Sequence, residues 1–230
     1  MQLKTLPQLF IFAICLFLTS CSNFFSEKNG GLVLPDGFEA VVVVDSLPGR
    51  ARHLAVNDNG DIYVKGNRFV EGGMNFVLRD ENKDGRADII KNFGPKIREG
   101  AYATSMRIHN GYLYTSSEML VYRYKLDPKV MLPMGEPEYI VIDSGRRREH
   151  DGKPLAFDGK GHIFVPFGAP SDACQVENRL PGSPGMKPCP ILDSNAGVWM
   201  FDENKLNQFR TVDGVKVATG LRSLVAMTWN

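Results

Sequence analysis

The chain has almost no net charge. Its 27 Lys and Arg stand against 26 Asp and Glu over 230 residues, leaving +1. A broad basic face, on which nucleic-acid binding depends, is therefore not expected. Cysteine is scarce, four in all, and no Cys-x-x-Cys-His occurs, so the chain carries no covalently attached haem. No long stretch has convincing helical periodicity. The one apolar run, Leu6 to Leu18, is too short for a comfortable membrane span. What the chain does have is turn residues. Gly 23 and Pro 14 punctuate a sequence that is 43% hydrophobic, enough for one sizeable core in an all-β, turn-rich fold.

The N-terminus reads as an export signal. Lys4 supplies a short positive region, the apolar run follows, and small residues lead to Cys21. Leu18-Thr19-Ser20-Cys21 resembles a bacterial lipobox, in which the cysteine is acylated and becomes the first residue of the mature chain. Residues 1–20 are thus expected to be a lipoprotein signal peptide, 21–33 a tether and 34–230 the folded domain. The domain would be lipid-anchored to a bacterial membrane and face the periplasm or the cell exterior. An uncleaved anchor or a plain signal peptide is the alternative. Cys15 falls in the discarded segment, so Cys174 and Cys189 remain, both in one loop. Outside the cytoplasm they are expected to pair, contributing on the order of 3 kcal/mol by loop closure. Two free thiols are the alternative.

A repeat sets the architecture. Ala55-Val56-Asn57-Asp58-Asn59-Gly60-Asp61-Ile62-Tyr63-Val64 recurs as Met106 to Thr115 and as Leu155 to Val165. The shared pattern is an apolar strand, an Asn/Asp/Gly turn, a glycine, one variable residue, then aliphatic, aromatic and β-branched residues. Asn-Gly and its relatives suit the positive-φ positions of tight hairpins. The glycines fall at 60, 111 and 161, a period of 50 to 51 residues. Further strands follow each hairpin: Phe76–Asp80 and Ile89–Ile90, then Leu120–Tyr124 and Tyr139–Ile142, then Val198–Asp202 and Val215–Ala218. The third unit is lengthened by a Pro- and Gly-rich insertion, roughly 169–195. Four short strands every 50 residues predict β-propeller blades, about three of them. A β-sandwich is the alternative, but it does not explain the even period. Leu221 to Trp229 reads as the opening strand of a fourth blade. A closed ring needs more blades, so the chain is expected to be an open fragment of a longer product.

Two stretches could carry chemistry. Asp80 to Asp88 fits D-x-N-x-D-G-x-x-D, with oxygen ligands at alternate positions and glycine at the sharp turn. Asp80, Asn82, Asp84 and Asp88 would offer side chains to Ca²⁺, and Arg86 its backbone carbonyl. The twelfth position is Lys91, not the glutamate of an EF-hand, so a structural Ca²⁺ between two strands is expected. An Asx-rich turn without metal is the alternative. The second stretch is Arg146 to Pro170, where three arginines and a glutamate lead to His150 before the third hairpin. Histidine is the commonest general base, although a loop histidine is more often solvated or structural. His53, His109 and His162 receive no role.

His150-Asp151-Gly152-Lys153-Pro154-Leu155-Ala156-Phe157, followed by Gly161 to Gly168, resembles the histidine-containing segment of the soluble quinoprotein glucose/sorbosone dehydrogenase family. Leu34 to Glu39, the Asp80–Asp88 loop, Cys189-Pro190 leading to Gly197–Phe201, and Ala218 to Arg222 are similar to the same family. Together they cover roughly 34–230. The lipoprotein form resembles the sorbosone and fungal pyranose dehydrogenase branch more than the glucose enzyme, and Ser223 stands where glucose-oxidising members have asparagine. The resemblance implies a six-bladed propeller holding pyrroloquinoline quinone (PQQ) and oxidising a hydroxyl of a sugar or related aldose. It implies His150 as the base, Arg222 as a PQQ contact, and an electron acceptor such as a cytochrome. The blades that would complete the PQQ and sugar sites are absent from this sequence, so the chain alone is expected to be inactive. A non-catalytic propeller lipoprotein binding carbohydrate or a protein partner is the alternative. A propeller hydrolase is disfavoured, because no His/carboxylate constellation is visible at the inner strands.

Overall fold

A computed structural model describes residues 28–68, 70–94, 105–143 and 149–230. The signal segment, Cys21 and the start of the tether lie outside the described residues, as do Arg146 to Arg148. The chain divides into two compact units, 1–41 and 42–230. In the first, a single turn at Lys28–Gly31 is followed by extended chain, and Asn29 accepts a hydrogen bond from the Ala40 N–H. Among the described residues no helix is long and apolar enough to cross a membrane.

The second unit is nearly all-β, with three sheets in chain order. Blade 1 runs β1 (Ala51–Val56), β2 (Ile62–Gly66), β3 (Asn75–Arg79) and β4 (Ile89–Phe93). Blade 2 runs β5 (Ser105–His109), β6 (Tyr112–Ser116), β7 (Leu120–Lys125) and β8 (Met134–Ile142). Blade 3 runs β9 (Ala156–Phe157), β10 (His162–Phe167), β11 (Gly197–Asp202) and β13 (Val215–Thr219). All these neighbours pair antiparallel. The repeat glycines sit where the hairpins demand them, Gly60, Gly111 and Gly161 having φ of 90°, 76° and 96°.

The architecture is propeller-like because the middle strands are buried on both faces. In β6, Leu113 packs toward blade 1 with Tyr63, Val77, Met106 and Met131. The next residue, Tyr114, points the other way and joins Ile163, Val165, Trp199 and Phe201 of blade 3. That is why the repeat ends in consecutive apolar residues rather than an alternating pattern. Polar ties cross the same interfaces. Glu203 bonds His109 and Asn110 at 3.0 Å each, and Lys65 donates to the Tyr122 hydroxyl at 2.8 Å.

Two features depart from the sequence expectations. The segment between β11 and β13 sends β12 (Gln208–Phe209) across to pair parallel with β8, covering the outer edge of blade 2. Residues 221–230 form no strand. They lie over blade 3, where Leu224 and Met227 pack against Ala156, Phe164 and Val198. Trp229 stacks on Phe164 with ring centroids 4.8 Å apart.

Candidate functional site

Antiparallel order places two kinds of connection at one end of the sheets: those from second to third strand, and those from one blade to the next. His150 belongs to this end, in the link from β8 to β9. A cleft of about 440 Å³ opens there. It is lined by Arg52 and His53 at the start of β1, by Glu149, His150 and Asp151 ahead of β9, by Arg179, and by Ser223 and Val225 after β13. All but Arg179, which comes from the insertion between β10 and β11, lead into or follow on from a blade edge.

The chain around His150 is pinned from several sides. Lys153 is buried between blades, donating to the Glu118 carbonyl and lying over the Phe167 ring, while its own carbonyl accepts from Ser116 Oγ at 2.8 Å. Gly168 presses on His150: a Cβ there would stand 2.1 Å from the His150 carbonyl oxygen. His150 itself holds a left-handed backbone, φ 54°. Its Nδ1–H donates to the Ala169 carbonyl at 2.7 Å, which fixes the tautomer and leaves Nε2 as the basic nitrogen. Nε2 lies 3.3 Å from Asp172 Oδ1.

Asp172 comes from the insertion, whose Cys174 and Cys189 are joined by a disulfide. The Arg179 guanidinium bonds Asp172 at 2.8 Å and Glu149 at 3.2 Å, and Arg222 Nη1 is 3.6 Å from the same Asp172 oxygen that faces His150. The hydrogen bond from Arg179 holds the Asp172 carboxyl below the usual range, aided by the charges of Arg179, Arg222 and His150. The structure thus brings His150 and Arg222 onto one carboxylate, although Arg222 lines a smaller adjoining pocket with the disulfide rather than the main cleft. Glu149, His150 and Asp172 bring ligand atoms within 4.8 Å of one another. Arg179 supplies the positive charge at that cluster.

The sequence reading missed His53, Asp172, Arg179 and Glu149. The repeat register held a signal for His53: counted back from Gly60 and Gly161, Arg52 and His53 on β1 match Lys153 and Pro154 ahead of β9. Burial lowers the His53 pKa, and the charges of Arg52, Lys65 and Arg107 act in the same direction. Nothing in the pattern pointed to Asp172 or Arg179, which reach the cleft only through the folding of the insertion.

The Asp80–Asp88 loop lies between β3 and β4 and is a set of nested Asx turns. Asp80 accepts from the Lys83 and Gly85 N–H groups at 2.7 Å, Asn82 from Asp84 at 2.9 Å, Asp84 from Arg86 at 2.8 Å and Asp88 from Glu81 at 2.7 Å. The Asp80, Asn82 and Asp84 oxygens each keep a second lone pair for a hard cation, whereas Asp88 Oδ2 accepts from both the Glu81 and Asn82 N–H groups. The loop does not gather three carboxylates within 4.8 Å in this conformation.

No family model and no curated protein matches the chain. Solved structures do match in fold. An iodide structure of the Trichoderma reesei carbohydrate-active enzyme family AA12 superposes with TM-score 0.58 at 13% identity, covering 79% of this chain and 43% of that one. The holo form of the pyranose dehydrogenase PQQ domain from Coprinopsis cinerea gives 0.53 at 16% identity, covering 76% and 39%. A calcium structure of the Trichoderma AA12 protein gives 0.55 at 10%, covering 76% and 41%. The chain therefore spans less than half the length of each neighbour.

Proposed function

We propose that the chain serves PQQ-dependent oxidation of a sugar or aldose hydroxyl, as part of a six-bladed ring of the glucose/sorbosone dehydrogenase kind. The observation that carries this reading is the meeting of His150 and Arg222 on Asp172, at the mouth of a blade arrangement shared with a pyranose dehydrogenase PQQ domain. The groups that would meet a planar polyanionic quinone are the Arg52 guanidinium in the 440 Å³ cleft and Arg222 beside it, Arg179 being held by Asp172 and Glu149.

His150 takes the hydroxyl proton at Nε2, because Nδ1 is committed to the Ala169 carbonyl. PQQ, when bound, would supply the two-electron acceptor for the hydride lost from the carbon as its carbonyl forms. Asp172 stabilises the imidazolium, and a fixed guanidinium at Arg222 favours negative charge developing nearby. Ca²⁺ held by Asp80, Asn82, Asp84, Asp88 and the Arg86 carbonyl would brace the β3–β4 link. In this reading a lipid on Cys21 tethers the protein to a bacterial membrane, facing the periplasm or exterior, and electrons leave to an acceptor such as a cytochrome.

The test is to titrate the purified gene product with PQQ and Ca²⁺ and follow dye reduction across a panel of aldoses. PQQ-dependent reduction is expected, with His150→Gln lowering kcat by about 10²- to 10⁴-fold. Absence of both PQQ binding and turnover would sink the dehydrogenase and favour a propeller that binds carbohydrate or protein.

A further inference from the structure

Arg179 stands at the centre of a polar network that packing alone does not require. Its side chain is 58% exposed, and exposed ion pairs add little stability. Yet it meets two carboxylates: Nε donates to Asp172 Oδ2 at 2.8 Å and Nη2 to Glu149 Oε2 at 3.2 Å. Asn178 follows the same two partners, donating to Glu149 at 3.3 Å and accepting the Asp172 N–H at 3.1 Å. The Arg179 N–H is itself held by Gln175 Oε1 at 3.2 Å.

The backbone carries strain at the same place. His150, Cys174 and Arg179 have φ of 54°, 52° and 63°. Such conformations are disfavoured for a non-glycine residue, and they persist where surrounding structure over-determines them. Here the disulfide ties Cys174, and hydrogen bonds tie the other two.

We propose that Arg179 is the positioning residue of the cleft: it locks Asp172 and Glu149 so that one Asp172 oxygen stays 3.3 Å beside His150 Nε2, at ion-pair rather than hydrogen-bond geometry, where it stabilises the imidazolium without taking up the lone pair. This rests on the reading of His150 as the base. Without a cation between them, two neighbouring carboxylates repel, and Asp172 is free to turn away. Arg222 cannot substitute, because it reaches Asp172 only at 3.6 Å and makes no contact with Glu149 among the ion pairs of the described residues. A planar fork suits two acceptors in a way an ammonium does not. The groups facing Asp172 are Arg179, Arg222 and His150, with Glu149 reached through Arg179. The low Asp172 pKa, caused first by the Arg179 hydrogen bond, agrees with this geometry.

The test uses the gene product labelled with ¹³C at aspartate carboxyls, without cofactor, alongside Arg179→Met and Arg179→Lys. Arg179→Met is expected to raise the Asp172 titration midpoint toward the ordinary carboxylate value while leaving Tm nearly unchanged, and Arg179→Lys to restore part of the shift. In turnover, Arg179→Met should lower kcat by about 10- to 100-fold with little change in KM. Adding Asp172→Asn to Arg179→Met should cost far less than Asp172→Asn alone. An unchanged Asp172 titration in Arg179→Met, or additive losses in the double variant, would overturn the assignment. If the unaltered protein oxidises no sugar, the dehydrogenase reading fails, and the Asp172 titration still decides whether Arg179 positions it.

Discussion

Blades 2 and 3 make the same connection in opposite ways. In blade 2, β6 reaches β7 through Ser117, Glu118 and Met119. Ser117 closes the turn by itself, its N–H donating to Leu120 and its Oγ accepting from Met119 and Leu120. In blade 3, β10 reaches β11 through residues 168–196, with a disulfide, a four-residue helix at Ile191–Ser194 and three ion pairs onto Asp172. The platforms beneath are alike, since β6 and β10 are both buried on both faces. What differs is the kind of force. The blades are held mainly by apolar packing, with a few buried polar ties across their interfaces. The insertion is polar and partly exposed, and its geometry comes from charge pairs, a covalent link and local backbone strain. A rigid scaffold thus presents an adjustable polar cluster.

The largest expected effect tests the scaffold side. Phe201 is 2% exposed and packs between blades 2 and 3. Phe201→Ala should cost about 3–5 kcal/mol, read as a lower urea midpoint with cooperative loss of all strand signals. The disulfide tests the insertion side. Replacing Cys174 and Cys189 with serine should cost about 2–3 kcal/mol, less than the core substitution. Faster amide exchange should be confined to residues 169–195. A loss exceeding that of Phe201→Ala would make the insertion part of the scaffold and dissolve the contrast.

This division also explains what the sequence made legible. The hairpins at Gly60, Gly111 and Gly161 were readable because positive φ and double-sided burial each leave a mark on residue choice. The pairing of Cys174 with Cys189 was expected, with free thiols as the alternative, from their place in one loop of an exported domain, and His150 stood out as an imidazole beside a hairpin. Asp172, Arg179 and Glu149 left no such mark. Their meeting depends on how an irregular loop folds back, and acidic and basic residues in a loop look the same whether or not they converge. His53 was readable in principle, from repeat register, but only once the inner ends of the first strands are known to face one opening. The strand expected at residues 221–229 was a hydrophobic pattern, and pattern alone does not supply hydrogen bonds. β12 was the reverse case, two residues too short to carry a period.

Gly168→Ala probes the seam between the two regions. The added Cβ would stand 2.1 Å from the His150 carbonyl oxygen and 2.7 Å from its Cβ. Backbone must therefore move, at about 1–3 kcal/mol. Because the insertion is the softer side, the shift should fall on His150 and its bond to Ala169. An altered His150 ring signal with intact blade exchange is the expected result. Blade loosening without a change at His150 would place the compliance in the scaffold.

Acid should separate the regions with the smallest effect. The Asp172 carboxyl lies below its ordinary 3.8, so the folded chain favours its charge. That contribution is present above the unfolded pKa and is lost as pH falls through the lower folded value. The His53 pKa lies below its ordinary 6.5, so the unfolded chain takes that proton first. Stability therefore declines as pH drops under about 6.5. Both signs point the same way, but the windows and locations differ. As pH falls below about 6.5 the loss should first be spread through blade 1, where His53 lies on β1, and His53→Gln should remove it. Below about pH 4 it should begin in residues 169–195, where amide exchange rises before the β6 and β10 amides respond, and Arg179→Met should blunt that second phase. Blades opening ahead of the insertion below pH 4 would mean that Asp172 is braced by the scaffold rather than by Arg179 and the disulfide-bonded loop.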